Sequence, residues 1–225
     1  MCGRLNTYAR SVAKASQELN VINPDAQIYQ RFIRATDRVS IIVEANNIRY
    51  IDNAIWWLLL EKDASGLKPS KYTSFNTRYD KLNTPRSAGY QAFRQSRCLI
   101  PVKGFGETEF VNKKPLHYVD FTVEEGDYMC LGGLYRQWQF EDNLICSCSV
   151  ITLPPHDKLT HIHSKASPLI VPKIRYNQWL DPNEQNPKVF DDLLAPHLPH
   201  KLYAQHIDKP SSYHPVGQVE VIAAD

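Results

Sequence analysis

The chain has few of the residue patterns that mark fibrous, disordered or membrane-spanning proteins. Among its 225 residues, glycine occurs 9 times and proline 15 times, with no repeating period, which excludes a collagen-like chain. The longest uninterrupted apolar run, residues 54–60, is far shorter than the ~20 residues that a transmembrane helix needs. A hydrophobic fraction of 43% excludes a disordered chain. Because these patterns are absent, we expect a folded globular protein.

The N-terminal sequence, MCGRLNTYAR, lacks the apolar segment of a secretory signal, so we expect a cytoplasmic protein with no membrane partner. Cysteine is also scarce. Five cysteines, an odd number, favour a reducing compartment over a disulfide scaffold. The charges nearly cancel, with 26 Lys and Arg against 24 Asp and Glu, and a net charge of +2 does not indicate nucleic acid.

Length and pattern predict one α+β domain over residues 1–225, with a β-barrel or sandwich-like core and peripheral helices. Strands dominate the middle of the chain, where short polar turns separate apolar segments. The predicted strands are 37–44, 48–51, 97–102, 116–123, 128–134 and 144–152. The predicted helices are 11–19, 84–95, 174–180 and 187–194, the second starting at a Thr-Pro pair.

Cys2 directly follows the initiator Met, and a small second residue favours removal of that Met. The mature chain would then start with a free α-amine and a thiol on adjacent carbons. The α-amine has a pKa of about 7.7–8.0, so a nucleophilic fraction exists at neutral pH. It can condense with an aldehyde to an imine, which the thiol closes to a thiazolidine. Alternatively, the thiol attacks an acyl carbon, as in N-terminal-nucleophile hydrolases.

Five short motifs occur in a fixed order along the chain: MCGR at 1–4, FNTR at 75–78, GFGE at 104–107, IHSKASPL at 162–169 and HPVG at 214–217. Together they resemble the SRAP family of SOS response-associated peptidases, or abasic-site processing proteins. The resemblance implies an SRAP-like fold. It also implies a protein that traps abasic sites in single-stranded DNA as a thiazolidine crosslink through Cys2, with autoproteolytic and lyase-type activity. Action on DNA would make it nucleoid-associated.

The same resemblance assigns a catalytic set of Cys2, Asn76, Glu107 and His163. The Asn76 amide is suited to hold the N-terminal amine and a sugar oxygen. The Glu107 carboxyl can supply the proton transfers of ring opening and dehydration. Glu109 is a nearby competitor, but the Gly-x-x-Glu spacing selects Glu107. His156 and His161 compete with His163, which the Ile-His pair favours as a proton shuttle.

The predicted DNA-binding residues are Arg4, Arg78, Thr152, Arg86 and Trp56. Arg4 and Arg78 match family arginines and suit fork-type phosphate contacts. Residues 76–104 contain six basic residues and one acidic residue, whereas residues 105–128 contain six acidic and two basic residues. This asymmetry predicts a basic face suited to single strands, with an aromatic ring for stacking.

The chain also departs from the family pattern. Thr108 stands where an aromatic residue usually follows the glutamate, and one extra residue separates His163 from the next proline. The family's Trp-Gly-x-x-Pro-x-Trp segment is replaced by residues 56–63, in which Trp56 or Trp57 could supply the stacking ring. These differences indicate a divergent member of the family.

Two other functions remain open. One is an N-terminal-cysteine amidase or peptidase, and the other is a single-stranded-DNA-binding module without chemistry. A zinc site at Cys146 and Cys148 with the histidines is a weaker alternative, because a C-x-C pair in an apolar strand is typical of core packing. We therefore predict that the protein binds no metal and no cofactor. We also expect a monomer, and we expect a structural role for His214.

Overall fold

The structure is a computed structural model that describes residues 3–64 and 66–225. Within these ranges the chain forms sixteen strands, three α-helices and six 3₁₀ segments. The strands are β1 Arg4–Asn6, β2 Ile33–Arg34, β3 Arg38–Ala45, β4 Ile48–Ile55, β5 Leu60–Asp63, β6 Gly66–Pro69, β7 Asn76–Arg78, β8 Arg97–Val102, β9 Gly104–Val111, β10 Lys114–Thr122, β11 Met129–Phe140, β12 Asn143–Leu153, β13 Ser167–Pro168, β14 Ile170–Val171, β15 Leu202–Ile207 and β16 Glu220–Ile222. The helices are α1 Ala13–Glu18, α2 Tyr90–Gln95 and α3 Tyr176–Leu180. The 3₁₀ segments are Arg10–Val12, Pro24–Ala26, Tyr79–Lys81, Asp157–Leu159, Lys173–Arg175 and Pro187–Leu194.

Five strands form a closed ring in which each strand pairs with two neighbours. β3 pairs with β4 and β8, β8 pairs with β11, and β11 pairs with β12. β12 closes the ring through a parallel bridge to β4 between Ser147 and Ile55. The predicted α+β class, with a barrel core and peripheral helices, is confirmed.

The barrel strands are apolar on both faces because both faces are covered. On β3, Val39, Ile41 and Val43 belong to one buried cluster, while Ile42 belongs to a second cluster that includes residues of α1, α2 and α3. Side chains alternate between the two faces of a strand, so a strand covered on both sides carries a nearly continuous apolar run. This explains why the central strands were predictable from sequence.

A second sheet carries the N-terminal strand. Its order is β16-β15-β10-β9-β1-β2, and all its pairings are antiparallel. β8 continues into β9 across Lys103, so the barrel passes directly into this sheet. Phe105 and Val119 extend the first buried cluster onto the sheet. Among the described residues, no helix is long and apolar enough to span a lipid bilayer.

The second predicted helix is wrong at its start. α2 begins at Tyr90, whereas residues 84–89 form turns. Arg86 adopts a φ of 68°, in the left-handed region, which an α-helix cannot contain. The Thr-Pro pair therefore starts a turn and not a helix. The segment predicted as a helix at 187–194 is helical but 3₁₀ in form.

β9 was not among the predicted strands, because two glycines lower its β propensity. Both glycines sit at close approaches. A Cβ atom at Gly104 would lie 2.3 Å from the carbonyl oxygen of Phe121, and one at Gly106 would lie 2.5 Å from the Arg4 guanidinium. Close contact between strands therefore requires glycine at both positions.

Arg97 has a structural role, although it lies in the basic segment. It is buried, and burial lowers the pKa of its guanidinium to about 10. The side chain donates hydrogen bonds to five backbone carbonyl groups that end α2 and surround the end of α3: those of Phe93, Arg94, Trp179, Asp181 and Glu184. Arg97 therefore ties these two helices to the barrel.

We expect Arg97→Lys to lower the free energy of unfolding by about 2–3 kcal/mol, because lysine cannot satisfy these buried carbonyls with a planar fork of donors. Arg86→Lys is the matched control. Its side chain is exposed, and the change should stay within about 0.5 kcal/mol. Urea denaturation of both variants checks this prediction, and equal midpoints would contradict it.

Candidate functional site

The Arg4 side chain points into the protein between β1, β9 and β10. Its Nη2 donates to the carbonyl oxygens of Glu107 and Val119 at 3.0 and 3.1 Å and lies 3.2 Å from an Asp120 carboxylate oxygen. Its Nη1 donates to Thr108 Oγ1 at 3.0 Å. The residue is only 7% exposed. Arg4 therefore links the strands β1, β9 and β10, and its guanidinium group does not face the solvent, where DNA phosphates would bind.

Pairing between strands brings β1 and the preceding Gly3 next to the strand that carries the candidate acid. Arg4 lies opposite Gly106, and the Gly3 amide donates to the Gly106 carbonyl at 3.4 Å. The next residue of β9 is Glu107, which pairs with Val119 of β10. Cys2, the predicted nucleophile, lies outside the described residues, and it is bonded to Gly3 in the sequence.

His163 and Glu107 meet in the interior. Both residues are buried, and His163 Nε2 lies 3.5 Å from a Glu107 carboxylate oxygen. The histidine belongs to the segment that leaves β12 and returns as β13. Its backbone amide donates to the Leu159 carbonyl, and the preceding Ile162 packs in the core. Two of the predicted catalytic residues are thus in contact.

Glu109 contacts the other side of the same imidazole. One of its carboxylate oxygens lies 2.9 Å from His163 Nδ1. Ser164 donates to Glu109 twice, from its backbone amide at 3.2 Å and from its hydroxyl at 2.8 Å. The sequence had presented Glu109 as a competitor of Glu107, whereas in the structure both carboxylates flank His163.

Burial controls the ionisation of this site. It raises the pKa of Glu107 to about 7, with Glu109 acting in the same direction and Arg4 opposing the shift. Burial also lowers the pKa of the His163 imidazole, against the attraction of Glu109. Burial acts to raise the pKa of Glu109, but hydrogen bonds from Ser164 and the neighbouring His163 outweigh it, so that pKa is lowered. At neutral pH the site therefore contains a largely neutral imidazole and a partly protonated Glu107.

Asn76, Arg78 and Thr152 lie together on adjacent parallel strands. β7 pairs with the end of β12, so that Asn76 is opposite Val150 and Arg78 is opposite Thr152. Thr152 also pairs with Pro168 of β13, at the return of the segment that carries His163. Thr152 is buried, Asn76 is half-buried and Arg78 is exposed, where it pairs with Asp80 at 2.9 Å.

A groove of about 480 Å³ runs beside these strands. Its lining includes the side chains of Tyr72, Phe75, Arg78 and Lys81, of which Tyr72, Arg78 and Lys81 are exposed. The groove therefore combines two cations with aromatic rings. Arg86 is exposed in the turn before α2.

Trp56 occupies the core. Its ring is fully buried, and its indole nitrogen donates to the Phe75 carbonyl at 2.8 Å. The sequence predicted that Trp56 stacks on a DNA base, but no face of its ring is exposed for stacking. Trp57 is the half-buried member of the pair. Its ring packs on Phe75 with centroids 5.7 Å apart and planes tilted by 31°.

The late His-Pro motif lies on the surface. His214 is exposed, and its Nδ1 lies 3.3 Å from an Asp208 carboxylate oxygen. Cys146 and Cys148 share one buried cluster, as two core residues of one strand face do. Across the described ranges, no group of three or more His, Cys, Asp or Glu residues is arranged to hold a metal ion.

This barrel, with an acid and an imidazole buried beside the N-terminal strand, defines one class of protein. The chain belongs to the SOS response associated peptidase (SRAP) family, whose model matches residues 1–210. Among its relatives are the abasic site processing proteins YobE and YoqW of Bacillus subtilis (strain 168). YobE is 23% identical over 201 residues, covering 88% of this chain and 90% of the relative. YoqW is 24% identical over 205 residues, covering 88% of both.

Solved structures share the fold. A protein from Bacteroides thetaiotaomicron superposes with a TM-score of 0.70 at 18% identity, covering 94% of this chain and 97% of that protein. A protein from Bordetella bronchiseptica gives a TM-score of 0.69 at 16% identity, covering 92% of this chain and all of that protein. At these identities the likeness shows the fold alone.

Sequence reasoning named Thr108 and Glu109 but did not predict their contacts in the site. Thr108, which replaces the usual aromatic residue, is a hydrogen-bond acceptor for Arg4. Glu109 is a partner of His163. The alternation of side chains on an extended strand predicts that residues 107 and 109 share one face, but no pattern in the sequence places His163 between them.

The two buried groups predict opposite pH dependences of stability. The pKa of Glu107 is raised on folding, so its stabilising contribution is present at low pH and is lost as pH rises from 4.5 to about 7. The pKa of His163 is lowered on folding, so stability is lost as pH falls below 6.5. Relative to wild type, Glu107→Gln should gain stability as pH rises, by on the order of 3 kcal/mol. His163→Gln should show the reverse trend.

Urea denaturation at half-unit pH intervals measures both trends. Glu125→Gln, in an exposed turn, is the control and should follow the wild-type curve. Parallel curves for all four proteins would show that neither buried group titrates as described.

Proposed function

We propose that this protein captures abasic sites in single-stranded DNA by forming a thiazolidine crosslink through Cys2, after removal of Met1, and so shields the lesion. The observation that carries the proposal is the buried contact between His163 and Glu107, the latter on β9, which pairs with the N-terminal strand β1. Membership of the SRAP family and relatives named abasic site processing proteins support the same substrate.

The chemistry follows from the groups present. The ring-opened abasic sugar is an aldehyde, and the Cys2 α-amine adds to its carbonyl carbon to give a carbinolamine. Protonation of the carbinolamine hydroxyl by Glu107 releases water and leaves an iminium ion, which returns its N–H proton to the Glu107 carboxylate and becomes the imine. The Cys2 thiol then adds to the imine carbon, its proton passing to the nitrogen, and the thiazolidine ring closes.

Glu107 is suited to this role because burial holds its pKa near 7, where a carboxyl can both give and take a proton at neutral pH. His163 lies within 3.5 Å and can exchange a proton with it during ring opening or reversal of the crosslink. In this proposal Arg4 acts by holding β1 against β9. Asn76 is the residue that orients the amine and the sugar.

The DNA strand would follow the groove beside β7. Arg78 and Lys81 would contact phosphates, with Arg86 further along. The buried Thr152 would not touch DNA itself but would support Arg78, its partner across the strand pair. Tyr72 and the Trp57–Phe75 pair offer aromatic faces for bases, in place of the buried Trp56. A basic groove with stacking rings suits binding that is independent of sequence.

Other properties remain part of this proposal. We infer that the protein acts as a monomer on DNA in the cytoplasm or nucleoid, without metal or cofactor. The family description as a peptidase favours a second activity of the same Cys2, attack of the thiol on an acyl carbon to release Met1 or to cleave small amides. Lyase-type cleavage of the strand beside the lesion would use the same imine.

Mixing the Met-processed protein with single-stranded DNA that bears one abasic site should give a product that survives heat and denaturant on a gel. Cys2→Ala and Cys2→Ser keep the α-amine but lack the thiol and cannot form a thiazolidine. Each should therefore give such a product only after borohydride reduction of the imine.

Mass spectrometry of the N-terminus is the control for Met1 removal. A processed wild-type protein that leaves no stable product would refute the proposal, and hydrolysis of amides alone would favour the peptidase alternative. A complex that forms in native gels but never survives denaturant would favour a binding module.

Arg78→Ala and Lys81→Ala should each reduce capture at moderate salt and flatten its salt dependence, because each removes one phosphate contact and the counterions it releases. The log–log slope against salt should fall by roughly one per variant. Lys188→Ala, exposed on the 3₁₀ segment Pro187–Leu194, is the matched control. Yields that do not depend on salt in any of these proteins would exclude the groove.

A further inference from the structure

The His163 imidazole lies between two carboxylates of one strand. Nε2 is 3.5 Å from a Glu107 oxygen and Nδ1 is 2.9 Å from a Glu109 oxygen. Residues two apart on a strand face the same way, whereas the intervening Thr108 turns toward Arg4. β9 therefore presents two carboxylates, one toward each nitrogen of the ring.

Glu109 is fixed independently of the histidine. The Ser164 hydroxyl donates to one of its oxygens at 2.8 Å, and the Ser164 amide donates to the other at 3.2 Å. The carboxylate that faces Nδ1 is thus anchored by the residue next to His163. A carboxylate only accepts hydrogen bonds, so it favours a proton on the ring nitrogen that faces it.

We propose that Glu109 is a positioning residue for His163: it holds the imidazole proton on Nδ1, so that Nε2 presents its lone pair to Glu107. Its effect on capture rests on the proposed function, whereas the tautomer does not.

The proposed proton transfer is balanced within the site. When the Glu107 carboxyl gives its proton to Nε2, Glu107 becomes a carboxylate and His163 becomes an imidazolium, stabilised by Glu109 at Nδ1. Return of the proton restores both neutral groups. The charged groups that face the ring are Glu107 and Glu109 from β9 and Lys165 from its own segment, which opposes the imidazolium. On the β10 side, His117 contacts the Ile162 carbonyl at 2.7 Å.

Nitrogen NMR of histidine-labelled protein tests the tautomer directly, without DNA. In the wild type at pH 7.5, we expect the His163 proton on Nδ1. Glu109→Ala should shift the ring toward the Nε2 tautomer, and Ser164→Ala should do so partially. Glu220→Gln is the matched control, because Glu220 contacts the exposed His161 Nε2 at 2.7 Å and its loss should leave His163 unchanged.

A wild-type proton on Nε2, or a tautomer that Glu109→Ala leaves unchanged, would overturn the assignment. If Glu109→Ala does not fold, the partial shift in Ser164→Ala still decides the question.

The crosslinking rate gives the second measurement. Glu109→Gln removes the charge that favours imidazolium, so the acid limb of the pH–rate profile should move by about one unit to lower pH. A purely structural role would lower the rate equally at every pH and would refute the proposal. If the wild type forms no crosslink but shows the Nδ1 tautomer, the proposed function fails and the positioning role of Glu109 stands.

Discussion

The site depends on one buried charge, the guanidinium of Arg4. A guanidinium removed from water is tolerated only when its donors are paired, and here four contacts to β9 and β10 pair it. Asp120 supplies the opposite charge and also contacts Arg31 at 2.7 Å. The space for the guanidinium exists because Gly106 has no Cβ atom. The residue types at four positions that lie in different parts of the sequence therefore depend on one another: Arg4, Arg31, Gly106 and Asp120.

This constraint makes the N-terminal strand a fixed part of the sheet. β1 has only three residues and would be a weak edge strand alone, but it lies between β9 and β2 and is bonded through Arg4 to β10. Glu107 follows the residue that pairs with Arg4, so the register that buries the arginine also sets the position of the Glu107 carboxyl relative to β1. Structural and chemical requirements thus fall on the same short motif, Gly-Phe-Gly-Glu.

Much of the barrel was predictable from sequence, because strands such as β3 and β8 carry apolar runs of a length typical of buried strands. The order of motifs likewise indicated Glu107 and His163. The direction in which individual side chains point was not predictable. Whether Arg4 points to phosphate or to a carbonyl, and whether Trp56 or Trp57 is exposed, depends on pairings between residues far apart in the sequence. The partnership of Glu109 with His163 depends on a turn segment whose path no periodicity describes.

The barrel also protects the chemistry from its own thiols. Cys98, Cys130, Cys146 and Cys148 are buried and free, and burial raises the pKa of each thiol. At physiological pH they are neither ionised nor accessible, so an aldehyde, an alkylating reagent or an oxidant finds no competing nucleophile among them. None of the four cysteines that the structure describes is therefore available to an electrophile from solution.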